Sequence, residues 1–112
     1  MSETVELNRN AKDTYDGQPR YDVVVDGVLV GEVVRYTENV NHSVNNVLVR
    51  VTKRHGWRCE LKLSTTDQAA LGTVELRQRA RRIASPRITW ETRKRAVAEL
   101  LSAREAIARL AS

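Results

Sequence analysis

The 112 residues predict an α+β domain: an antiparallel sheet from two β-hairpins (21–36 and 47–63) packed against C-terminal helices. Three observations carry this expectation. Two β-branched runs meet at Asp26-Gly27, the dipeptide suited to a two-residue turn because both central positions take positive φ. Apolar and polar residues alternate through 47–63. Beyond Leu63 the apolar spacing lengthens, until Val97, Leu100, Leu101, Ile107 and Ala108 share one side of a helix.

Residues 1–20 are polar and mixed in charge, with Asp16-Gly17 and Pro19 as turn signals. They read as a segment preceding the domain of residues 21–112, either a loose tail or, at Thr4-Val5-Glu6-Leu7, a short edge strand. In the first hairpin, a turn at Asp26-Gly27 sets Val25 opposite Val28, Val23 opposite Val30 and Tyr21 opposite Glu32, with Gly31 placed for a bulge. Residues 37–46 hold four Asn without periodicity and read as a long exposed connection.

For the second hairpin, a three-residue turn Arg54-His55-Gly56 pairs Val51 with Cys59 and Val49 with Leu61. That register leaves Arg50, Arg58, Glu60 and Lys62 on the other face. Ser64 to Asp67 supplies caps for a short turn ending at Gly72, and Thr73 caps a helix reaching about Ala84. Ser85-Pro86 stops it. Ile88-Thr89-Trp90 is either a short strand or an anchor for the last helix, which Thr89 or Thr92 caps. Glu91 with Arg95 and Glu105 with Arg109 are i,i+4 pairs there. Arg104 interrupts the apolar stripe, which implies either a solvated helix end running past the sheet or a contact with a partner chain.

Composition narrows the function classes. The net charge is +5 and the pI about 9.9, with 15 Arg against 4 Lys; GC-rich coding accounts for part of this, and the guanidinium fork suits phosphate and carboxylate surfaces. Residues 1–50 sum to −3 and residues 51–112 to +8. The excess concentrates in Arg77, Arg79, Arg81, Arg82, Arg87, Arg93, Lys94 and Arg95, opposed in that window only by Glu91. Two readings follow. In one, these eight cations contact a nucleic-acid backbone, DNA or RNA, with Arg50, Arg54, Arg58 and Lys62 adding sheet contacts. In the other, they form a solvated face paired to Asp22, Asp26 or Glu32.

Other chemistries find little footing. His42, His55 and Cys59 are the only soft ligands and make at most half a metal site, so neither metal nor cofactor is expected. Cys59 alternates with Trp57 and Leu61 as a core residue would. Neither a phosphate-cradling Gly-rich loop nor a nucleophile triad is visible, so an enzyme is not expected. Tyr21, Tyr36 and Trp57 read as packing groups before base-stacking ones. A single cysteine and a polar opening, without a leader or apolar span, suggest a cytoplasmic protein with no membrane contact. The alternative function is capture of a host protein by the Val-rich hairpin, the Asn-rich stretch or the end of the last helix. That helix could also join a homodimer; otherwise the chain is a monomer.

Three stretches carry a resemblance: Val25-Asp-Gly-Val-Leu-Val-Gly-Glu-Val-Val-Arg35, Gly56-Trp57-Arg58, and Trp90-Glu-Thr-Arg-Lys-Arg-Ala-Val-Ala-Glu-Leu-Leu101. The chain resembles small uncharacterised proteins of actinobacteria and their phages. More distantly it is similar to the AP2-like arm-binding domain of phage integrases, where three antiparallel strands precede a helix opening in Thr-x-x-x-Ala. The resemblance implies a phage or mobile-element protein whose sheet faces DNA, and it orients Arg50, Arg58 and Lys62 outward. The chain departs from that family by inserting the Arg-rich helix and by carrying no integrase catalytic domain.

Overall fold

A computed structural model describes residues 3–10 and 18–112. Strands β1 (Val5–Arg9), β2 (Arg20–Val25), β3 (Val28–Val44) and β4 (Val47–Leu61) form one antiparallel sheet in the order β1-β2-β3-β4. Helices α1 (Thr65–Ala70), α2 (Val74–Ala84) and α3 (Arg93–Ala111) follow, and α3 packs on the sheet, giving an α+β domain. β1 pairs with β2 along its length, Leu7 opposite Val23, so the edge-strand alternative holds for residues 5–9. The turn signal at Asp16-Gly17 lies outside the described residues. No described helix is long and apolar enough to cross a membrane.

The β2–β3 turn sits at Asp26 and Gly27, with φ of 50° and 81°. Val25 faces Val28 as its sequence predicts, but the register then slips: Val24 pairs with Leu29 and Val23 with Gly31. Val30 is therefore the extra residue of a bulge, and Tyr21 faces Val33, not Glu32. Strict alternation would turn Val30 and Val33 to opposite faces; the bulge lets both enter the core. Gly31 belongs here for a further reason: a Cβ would collide with the Glu60 carbonyl and lie 2.9 Å from Leu100 Cδ1.

The second hairpin differs from expectation. β4 runs straight through Arg54, His55 and Gly56, and its partner is β3 from Gly31↔Leu61 to Val44↔Val47. The turn is Asn45-Asn46, with φ of 50° and 64°, so residues 37–44 are strand and not loop. Asparagine tolerates the left-handed region almost as glycine does, and two in succession make the same type of turn as Asp-Gly. Gly56 has no positive φ; it is small because a Cβ would strike Thr89 Cγ2 and the Trp90 carbonyl. Residues 88–90 cross at that point, and Trp90 bridges to Trp57 as a fragment of strand. The inward parity of Trp57, Cys59 and Leu61 survives the new pairing, whereas Arg50 faces His42 and Glu60 faces Glu32.

Each helix begins on a hydroxyl cap: Ser64, Thr73 and Thr92 accept from the backbone N–H three residues on. α3 buries Ala96, Leu100 and Ile107 against Val23, Val33 and Cys59, while Ala108 is exposed. Arg104 is explained by neither alternative. It donates to Glu3 Oε1 at 3.2 Å, tying α3 to the segment before β1, and Ile107 beyond it is fully buried. Leu110 and Ala111, partly buried, also pack against the core. Arg109 pairs with Glu105 as its spacing implies; Arg95 pairs with Glu99 at 3.0 Å, since Glu91 precedes the helix.

Candidate nucleic-acid interface

α2 turns Ala80 and Ala84 inward with Leu76 and Ile83 beside them, and this lays Arg77, Arg79, Arg81 and Arg82 on exposed flanks. Arg77 Nε donates to the Leu71 carbonyl at 3.1 Å, and Arg77 and Arg81 border a depression with Leu63, Gln68 and Leu71. After the helix, Pro86 and a left-handed Arg87 (φ 57°) bend the chain back toward β4. Arg81, Arg82 and Arg87 then meet around a second depression with Ser85 and Pro86. Arg87 also lines a cleft on the sheet with Arg20, Tyr36 and Arg58, together with the carboxylates Glu32 and Glu60. Arginines distant in sequence are thereby linked from α2 to the sheet.

Arg58 is positioned by two contacts: its guanidinium lies 3.6 Å from the Tyr36 ring centre, and Nε donates to Thr89 Oγ1 at 3.3 Å. Arg50, Arg54 and Arg58 recur on one face of β4, the face opposite Cys59 and Leu61, and Lys62 extends the row. Arg54 is partly committed to Glu38, 3.9 Å away. The start of α3 is arranged differently. Arg93 lies over the Tyr21 ring at 4.6 Å, and Arg95 lies over Trp90 and pairs with Glu99, so both are engaged within the fold. Lys94 is exposed.

The carboxylates offered as partners for the helix arginines are occupied elsewhere. Asp26 accepts from the Thr4 N–H, Asp22 from Asn10, and Glu32 pairs with Arg20 at 3.2 Å. Among the described residues, Arg79, Arg81, Arg82, Arg87 and Lys94 have no carboxylate partner. Burial raises the Glu32 carboxyl above its ordinary value; Arg20 works against that rise, and Glu60 and Asp22 add to it.

The remaining candidates are packing groups. Tyr21 and Trp57 meet at 6.0 Å between centroids, half-buried on the core. Cys59 is buried, which raises its thiol pKa. His55 and His42 hydrogen-bond to Thr37 and Thr52 across the ribbon. Two contributors escaped sequence reasoning. Arg20 lies far from the Arg-rich window and reaches the neighbourhood of Arg58 across Val34 of β3, whereas Thr89, within that window, meets Arg58 through the return of residues 85–90 to β4. The signal for that return was Gly56, which lacks a turn and therefore needs a neighbour.

No family model, curated protein or solved structure matches the chain.

Proposed function

We propose that the protein is a binding module for nucleic acid that holds the phosphate backbone through Arg81, Arg82 and Arg87. Arg77 and Arg79 flank that group, and Arg58 continues it onto the sheet. The observation that carries the reading is the convergence of Arg81, Arg82 and Arg87 on one exposed depression with no carboxylate partner among the described residues. Clustered guanidinium groups repel one another, and an arriving polyanion relieves that repulsion while releasing its own counterions. The open face of the sheet, with Arg50, Arg54 and Arg58 in a row, supports a contact that spreads beyond the helix. Arginine on phosphate positions a module without reading sequence, so the expected binding is tolerant of sequence.

The test is anisotropy of a labelled duplex and a labelled single strand across a salt series. Wild type binds at low salt, and reversing Arg81, Arg82 and Arg87 to Glu abolishes binding. Reversing Arg82 alone is compared with reversing Arg109, already paired to Glu105, an equal change of two charges. Equal losses from both changes mean that only net charge matters, and no binding at low salt ends the proposal.

A further inference from the structure

β3 and β4 outrun the rest of the sheet. β2 accompanies β3 only as far as Val34, and Trp90 meets β4 only at Trp57. Beyond those points the two strands continue as a ribbon that gives the molecule its 51 Å long axis. At its end Val44, Val47, Leu48 and Val49 are each more than half exposed, with Val51 close behind at 49%. A two-stranded ribbon in water is marginal by itself, and a contiguous apolar end invites cover. Arg50, Lys53 and Arg54 give it a positive charge, against Glu38 alone among residues 37–55.

The opposite end of the same strands is its complement. There Leu29 and Leu61 line a cleft of about 220 Å³ whose rim holds Asp22, Glu32 and Glu60 with Lys62, and Val28 stands 61% exposed at the adjoining turn. A strand of 17 residues separates the two ends by roughly 50 Å, at about 3.3 Å per residue, so they cannot meet within one molecule.

We propose that the protein associates with itself head to tail, the apolar and basic ribbon tip of one copy seating in the acidic, Leu29-lined cleft of the next. The complementarity argues for a second copy: apolar groups face apolar groups, and Arg50 and Lys53 approach a rim where three carboxylates, Asp22, Glu32 and Glu60, stand against Arg20 and Lys62. The two surfaces are different, so the contact is heterologous and grows into a ring or an open chain instead of stopping at a symmetric dimer.

Sedimentation velocity on the full chain over a range of concentrations tests this. Wild type shows a mass that rises with concentration. A tip variant, Leu48→Asp with Val49→Asp, and a cleft variant, Leu29→Arg with Glu60→Lys, each stay monomeric. Mixed together they form a one-to-one complex that grows no further, because one intact tip meets one intact cleft. All four positions are exposed, and circular dichroism verifies each fold; Val44→Thr with Val47→Thr, which keeps β-branching, is the substitute tip variant. Three results overturn the proposal: a wild type that is monomeric throughout, a cleft variant that assembles as wild type does, or folded variants that fail to complement. A monomeric wild type whose tip changes instead weaken oligonucleotide binding assigns the ribbon to nucleic acid.

Discussion

Trp57 and Trp90 exchange a pair of backbone hydrogen bonds, each 2.7 Å, across an otherwise open edge of β4. This bridge holds the segment after α2 against the sheet, and it passes over Gly56 with no room for a side chain. Gly56→Ala forces the segment outward and costs about 1–3 kcal/mol, the usual range for overpacking a tight site. Urea denaturation with an unchanged m-value checks it. A shift below a few tenths of a kcal/mol means that residues 88–90 are not held there.

Stability responds to pH through Glu32. Its native pKa lies above the ordinary 4.5, so as pH rises past that value the unfolded chain gives up its proton while the native state keeps it. The unfolded state then binds fewer protons, and stability falls from 4.5 up to the raised native value and levels off above it. Glu32→Gln removes this component, and Glu60→Gln weakens it. Urea midpoints over about pH 4 to 7 show whether the wild-type decline flattens in Glu32→Gln.

For the arginine surface the slope of log affinity against log salt is the decisive quantity. Each phosphate neutralised on a duplex contributes about −0.9 to it. Arg81→Ala and Arg82→Ala each make the slope shallower by up to that amount, uniformly across sequences. Arg93→Ala changes it less, since Arg93 is drawn onto the Tyr21 ring. A larger effect at Arg93 than at Arg81 relocates the contact to the start of α3.

The two β-turns make a matched pair. Asn46, at φ 64°, loses its tolerance for the left-handed region on replacement by Ala, a cost of about 1 kcal/mol. The loss is confined to the ribbon: amide exchange accelerates near Val44 and Val47 while Val23 and Val33 in the core keep their protection. Uniform acceleration means that the ribbon unfolds with the domain.

Much of the fold was legible from local chemistry. Asp26-Gly27 marked the first turn, Thr73 marked one helix start and the choice of Thr89 or Thr92 bracketed another, and the parity of Trp57, Cys59 and Leu61 marked the inner face. The ribbon was misread because Asn45-Asn46 sits in a polar stretch, where asparagine suits a loose loop as well as a tight turn, while Gly56 near charged residues imitates a turn. Only the tertiary crossing of residues 88–90 distinguishes the two kinds of glycine. The α2 arginines were visible as a cluster, yet their convergence with Arg87 depends on a backbone bend at Arg87 that periodicity does not encode. Arg104 looked anomalous because its partner, Glu3, lies about a hundred positions away.

Every residue from Ser43 to Val51 is exposed, and none belongs to the core cluster. Outside the Asn45-Asn46 turn, substitutions there leave the packing of the core untouched, so that end of the molecule is free to diversify. A different sequence grafted between His42 and Thr52 changes the surface that end presents without retuning how the globule folds.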